Sequence, residues 1–215
     1  MVSRKITSVD DLSLKEISSI VNKALNFQKS IKQKKTNKPK NIFNLFLEAS
    51  TRTTISFELA AKKLGHNVIN VNFEKSSLSK GETFNDTMDT LISMKPDALI
   101  IRDKNNFSPH EIFQKHKIPI LNAGDGTNEH PTQALLDLCV IKSIFKNKKI
   151  KIGICGDIKH SRVAHSNIKL LSGDLDEERK HRPALRAQAR RAGGPFETSH
   201  VDDEQGGRLG RQIGD

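Results

Sequence analysis

Tryptophan and tyrosine are absent from this chain, and ten phenylalanines supply all of its aromatic side chains. Binding of single-stranded nucleic acid leans on aromatic platforms that stack on bases, so that route is poorly provided for. Long apolar runs are missing too: none approaches the roughly 20 residues of a membrane span, so no membrane association is expected. The opening MVSRKITSVDDLSLKE has no apolar stretch of the kind a secretory leader carries. Two cysteines occur, Cys139 and Cys155, both in apolar stretches and at no spacing that suggests pairing or metal binding. They read as free thiols in a reducing compartment, which makes the expected location cytoplasmic.

Positive charge, by contrast, is abundant. Thirty-six Lys and Arg face 25 Asp and Glu, a formal net charge of +11 with a pI near 9.7. Such a balance suits nucleic acid, a membrane surface or small anions. The distribution favours small anions. The basic runs KQKKTNKPK (Lys32–Lys40) and KNKKIK (Lys146–Lys151) fall in connections and are not interleaved with aromatics. No nucleic-acid partner is therefore expected.

Composition changes abruptly near residue 172. Residues 1–172 hold 24 Lys, 4 Arg, 15 Asn and 20 Ile, whereas residues 173–215 hold 1 Lys, 7 Arg, no Asn and 1 Ile. The first pattern suits AT-rich coding DNA and the second GC-rich DNA, so the tail reads as out-of-frame translation, a fusion or a cloning artefact, the alternative being a genuine tail of low hydrophobicity. One continuous frame of uniform base composition would overturn that reading. The tail has too few apolar residues for a core and is expected to be disordered, with at most a transient helix over Glu177–Ala192.

The first 172 residues alternate helical and strand patterns, the signature of an α/β fold with a doubly wound parallel sheet. Expected helices cover the stretch from Asp10 or Asp11 to about Ser30, then Arg52–Leu64, Glu82–Met94, Ser108–His116, Pro131–Phe145 and Ser161–Leu171. Expected strands are Ile42–Leu47, Asn67–Phe73, Ala98–Ile101, Ile118–Ala123 and Lys151–Gly156. Four strand–helix units complete one domain, 1–148. The last strand and helix begin a second, incomplete one, 149–172, followed by the tail, 173–215. Having lost the partners that would cover them, that strand and helix are expected to expose apolar surface and to be poorly ordered.

In such sheets ligands bind beyond the carboxyl ends of the strands. The first of those ends runs into STRTT, where Ser50, Thr51 and Thr53 flank Arg52 at a helix start. A lone Ser-Thr pair is most simply a cap, but hydroxyls, free N–H groups and a guanidinium fork together suit a phosphate. Arg102 follows another strand. Residues 1–172 use lysine for general charge and keep four arginines, of which Arg52, Arg102 and Arg162 all follow strands. His130 precedes Pro131 at a third strand end, with Gln133 in the next helical turn. Alone it reads as a cap; beside the other two ends it reads as a donor to a carbonyl oxygen. Lys80, in the loop SSLSKGE, is either a surface cation or one carried to a phosphate.

These segments, EASTRTTISFE, SSLSKGE, Arg102, AGDGTNEHPTQALLDL and GDIKHSRVAHS, occur in an order and spacing that resembles the catalytic chain of the aspartate/ornithine carbamoyltransferase family, over roughly residues 1–172. The wording AGDGTNEHPTQALLDL is more similar to the aspartate branch. The resemblance implies that Ser50, Thr51, Arg52 and Thr53 hold the phosphate of carbamoyl phosphate. It implies that Thr53, Arg102 and His130 polarise the carbonyl oxygen and that Gln133 meets the carbamoyl amino group. Ser77 (or Ser76) and Lys80 would reach a neighbouring subunit's site in a homotrimer, to which a regulatory chain could bind. Arg162 would take a carboxylate of L-aspartate. No metal or organic cofactor is implied. The family's second domain continues past residue 172, and nothing in the tail matches it. The alternative is therefore a truncated, inactive module that binds carbamoyl phosphate.

Overall fold

Short runs rich in Ile, Val, Leu and Phe alternate with amphipathic stretches, and in the computed structural model the runs become parallel strands and the stretches their covering helices. The structure describes residues 4–29, 35–72, 83–105, 109–146 and 150–174, all within one unit, Met1–Glu177. In chain order these form β1 (Lys5–Ile6), a 3-10 turn (Val9–Asp11), α1 (Leu14–Lys29), β2 (Asn41–Phe46), α2 (Thr51–Lys63), β3 (Asn67–Asn72), α3 (Phe84–Ser93), β4 (Ala98–Asp103), α4 (Pro109–His116), β5 (Ile120–Asp125), α5 (Pro131–Phe145) and α6 (Arg162–Asp174). No helix among them is long and apolar enough to cross a membrane.

The five strands run in the order β1-β5-β4-β2-β3, every pairing parallel. The chain winds outward from β2 to β3, then returns across β2 to β4 and continues the other way. The crevice between the carboxyl ends of β2 and β4 is thus the point where the winding reverses, the usual place for a ligand in an open parallel sheet.

Alternate residues of a strand share a face, and Phe43, Leu45, Leu99, Ile101 and Ile120 join Met88 of α3 and Ile112 of α4 in one buried cluster. A second cluster joins Val9 and Leu12 to Ile17 and Val21 of α1, Ala134, Leu135 and Leu138 of α5, and Leu170 and Leu171 of α6. Burying each such Leu, Ile or Phe contributes about 1.5–3 kcal/mol.

Four expectations are corrected here. The α/β fold has five strands, but the fifth is the N-terminal Lys5–Ile6, too short to show a period. Lys151–Gly156, expected as a strand, forms no ladder; none of the described strands pairs with it. The helix expected to lack partners does have them: Leu170 and Leu171 of α6 are 1% and 6% exposed. Apolar exposure does occur in these segments, with Ile152 and Ile168 38% and 37% exposed, and α5 adds an exposed stripe in Leu136, Val140 and Ile144. The first expected helix also divides. Ser8 caps the 3-10 turn in a reciprocal box with Asp11, and α1 starts only at Leu14. Gly173 and Asp174, the first two residues of the expected tail, end α6, and residues 175–215 lie outside the described residues.

Candidate functional site

The β2–α2 junction turns sharply at Glu48–Ser50. Ser50 stands at the helix N-cap but makes no side-chain cap; its hydroxyl instead donates to Thr53 Oγ1 at 2.9 Å, while Thr54 Oγ1 donates to the Ser50 carbonyl at 2.9 Å. The first N–H groups of α2 are therefore left uncapped by that serine, facing the strand ends, where a helix terminus attracts an anion. Thr51 and Arg52 are exposed on this first turn, and Thr53 is half-buried.

Across the crevice, Arg102 near the end of β4 and Arg162 at the start of α6 converge. Arg102 Nη1 donates to the Ala123 carbonyl at 3.1 Å and its Nη2 to Glu48 Oε1 at 3.1 Å. Arg162 Nη1 donates to the Asp103 carbonyl at 3.1 Å, and its Nη2 to Glu48 Oε1 and Oε2 at 3.2 and 2.9 Å. One carboxylate thus holds two guanidiniums side by side. Burial raises the Glu48 pKa, but the bonds and charges of Arg162 and Arg102 outweigh it and hold the carboxyl below its usual range. Burial and the charge of Arg162 lower the pKa of Arg102. Its Nε is buried without a hydrogen-bond partner.

The two arginines fit because of Gly124. Its φ is +119°, a region side chains rarely adopt, and a Cβ there would meet Arg102 Nη1 and Arg162 Nε at 3.1 Å. The turn is shaped by Asn122, which accepts from Gly124 N at 2.7 Å and donates to the Thr7 carbonyl at 2.9 Å.

His130 is the residue before α5, with Pro131 at the first helical position and no side-chain cap of its own. It is 7% exposed. Its Nε2 lies 3.4 Å from Arg102 Nη1 and its Nδ1 3.3 Å from Thr132 Oγ1. Because a guanidinium only donates, Nε2 is the accepting nitrogen in this arrangement and Nδ1 carries the proton. Burial, then the charges of Arg102 and Arg162, lower its pKa to about 4, so the imidazole is neutral at physiological pH. Its backbone N–H donates to Ser166 Oγ of α6 at 2.9 Å. Gln133, one turn into α5, donates from Nε2 to Asp137 Oδ1 at 2.9 Å.

The structure therefore gathers Arg102, His130 and Arg162 at the reversal point and places Ser50, Thr51, Arg52 and Thr53 on the adjoining helix start. Lys80, Ser77 and Ser76 lie outside the described residues. Sequence reasoning assigned no role to Glu48, Gly124 or Asp137. Glu48 stands inside the quoted segment EASTRTTISFE, where a lone acid gives no sign that it pairs with residues 54 and 114 positions away. A separate cleft of about 270 Å³ beside β1, lined in part by Lys5, Thr7, Asp11, His110 and Asp125, contains none of the expected site residues. No cluster of metal-ligating side chains occurs among the described residues.

An open parallel sheet with arginines and two helix starts at its reversal point defines an anion-binding α/β domain. Residues 4–143 match the family described as aspartate/ornithine carbamoyltransferase, carbamoyl-P binding domain, and the chain belongs to that family. The aspartate carbamoyltransferase catalytic subunit of Solibacter usitatus is 46% identical over 172 residues, 78% of this chain and 57% of the relative. That of Pelagibacter ubique is 45% identical over 177 residues, 80% and 56%. Among solved structures, aspartate transcarbamoylase from Trypanosoma cruzi in complex with aspartate and phosphate superposes with a TM-score of 0.72 at 37% identity, covering 79% of this chain and 56% of that one. The same enzyme with carbamoyl aspartate and phosphate gives 0.73 at 38%. The chain thus spans little more than half the length of these relatives.

Proposed function

We propose that the chain acts in aspartate carbamoyltransfer, moving the carbamoyl group of carbamoyl phosphate to the amine of L-aspartate, a step of pyrimidine synthesis, in the cytoplasm. The observation that carries this is the convergence of Arg102, His130 and Arg162 beside the uncapped start of α2. Ser50, Thr51, Arg52 and Thr53 hold the phosphate, where N–H groups and a guanidinium offset its charge. Arg102 and Thr53 stabilise charge developing on the carbonyl oxygen. His130 joins them as a neutral donor once Arg102 turns to the substrate, which frees Nε2, and the imidazole takes the tautomer with its proton on Nε2 rather than Nδ1. Gln133 meets the carbamoyl amino group and Arg162 an aspartate carboxylate. The amine attacks the carbonyl carbon, the C–O bond to phosphate breaks, and the departing phosphate takes the amine's proton. The substrate arrives activated, so positioning and charge stabilisation supply most of the catalysis. Ser77 (or Ser76) and Lys80 complete the site of a neighbour in a homotrimer, with a regulatory chain as a further partner. Residues 1–148 form the carbamoyl-phosphate domain and 149–172 the start of the aspartate domain.

A second reading is favoured by the chain's length relative to its relatives: a module that binds carbamoyl phosphate without turning it over. Purified chain is assayed for carbamoylaspartate and for protection against heat by carbamoyl phosphate, with Arg52→Ala as control. Product formed by the chain and lost in the control supports the transferase. Protection without product supports the module. Neither response overturns both.

A further inference from the structure

From the α5–α6 contact we infer that Asp137 is a positioning residue for selectivity: it fixes the amide of Gln133 so that its oxygen, not its nitrogen, is turned toward the carbamoyl amino group. The inference rests on the proposed binding of carbamoyl phosphate at this site.

A glutamine amide is nearly symmetric in shape, yet one end only accepts and the other only donates. Whichever end faces the ligand determines whether the site reads a donor or an acceptor. Nothing in Gln133 itself decides this. Asp137 does, because a carboxylate accepts and cannot donate. Four residues along α5, it lies on the same helical face as Gln133, and its Oδ1 takes the Gln133 Nε2–H at 2.9 Å. The reversed amide would set oxygen against oxygen. With Nε2 held, Oε1 is the end turned away from Asp137, and an amide oxygen can accept from the N–H of a carbamoyl group but offers nothing to a methyl group.

Asp137 is itself fixed. Its second oxygen, Oδ2, takes a hydrogen bond from Asn167 Nδ2 of α6 at 2.7 Å. The carboxylate therefore bridges two helices, one oxygen to each, and cannot swing toward one amide without leaving the other. Asn167 Oδ1 is buried without a partner, so the side-chain amide is held by its bond to Asp137. The Gln133 backbone N–H donates to the His130 carbonyl at 3.0 Å, which places the Gln133–Asp137 pair in the turn that follows His130. The α6 helix thus contributes Arg162 to one side of the crevice and, through Asn167 and Asp137, sets the polarity of the amide on the other.

The test uses the full chain and two probes that differ by one group: carbamoyl phosphate and acetyl phosphate, whose methyl replaces the amino group. Calorimetry measures both affinities for the parent, Asp137→Ala, Gln133→Ala and the double variant; Asp137→Asn serves where the alanine variant melts below the assay temperature. The parent is expected to prefer carbamoyl phosphate, and Asp137→Ala to lose that preference by about tenfold, one hydrogen bond's worth, with acetyl phosphate binding unchanged. In the Gln133→Ala background, removing Asp137 is expected to change the preference no further, because it acts through Gln133. An unchanged preference in Asp137→Ala, or equal weakening of both probes, would overturn the inference while leaving the proposed function standing. A parent chain that binds neither probe would overturn both.

Discussion

At the residue scale, the arrangement turns on groups whose ordinary behaviour the site has altered. His130 has its pKa lowered from 6.5 to about 4, so between those values the unfolded chain binds a proton that the folded chain does not. Stability therefore rises with pH across that window; its contribution is complete above about 6.5 and is lost as pH falls toward 4. A displacement of that size is worth about 3 kcal/mol. Urea unfolding of the parent at pH 4.5 and 7 is expected to differ more than that of His130→Asn by roughly 2 kcal/mol. Equal differences would show that the imidazole is not held neutral. Gly124 is constrained twice, by its φ of +119° and by the two guanidiniums against it. Gly124→Ala is expected to cost about 1–3 kcal/mol through backbone strain and to weaken carbamoyl phosphate binding by about tenfold by displacing Arg102 from its carbonyl oxygen, readable by thermal melting with and without carbamoyl phosphate. Glu48 pairs both arginines, so Glu48→Gln leaves adjacent like charges and is expected to lower stability by about 2–4 kcal/mol. Inorganic phosphate should then raise the melting temperature of Glu48→Gln more than that of the parent, since an added anion replaces the lost charge.

At the element scale, the strands from Asn41 onward and the six helices were largely legible, because period-two and period-3.6 patterns survive in the sequence. The failures share a cause. Lys5–Ile6 is a strand because β5 lies beside it, and Lys151–Gly156 is not because none of the described strands pairs with it; hydrogen-bond ladders belong to pairs of segments. The fate of α6 was likewise set from outside itself, by the hydrophobic surfaces of α1 and α5. Leu170, 1% exposed in that cluster, is expected to cost about 2–4 kcal/mol when replaced by alanine. A loss below 0.5 kcal/mol in chemical denaturation would mean that α6 does not dock there. The pattern over Ser161–Leu171 showed the apolar side of this helix without showing what it would meet.

At the scale of the whole molecule, the topology explains why residues so distant in sequence act together. Right-handed crossovers place every strand end on one rim, and the reversal between β2 and β4 opens that rim. Glu48, Arg102, His130 and Arg162 reach it from four separate parts of the chain: the β2–α2 connection, β4, the residue before α5 and the start of α6. On the proposed shared-site assembly, sedimentation equilibrium is expected to give about three times the 24.0 kDa chain mass; a concentration-independent monomer would overturn the trimer.

The amino-acid sequence by itself determined the α/β class, the strand–helix alternation and the residue types able to bind an anion, because these depend on periodicity and on chemistry carried by each side chain. Only the tertiary structure decided that Glu48 bridges two arginines, that Gly124 makes room for them and that Asp137 holds Gln133 against α6. Each of those is a relation between segments brought together by folding, and its meaning depends on distance in space, which a one-dimensional pattern does not contain.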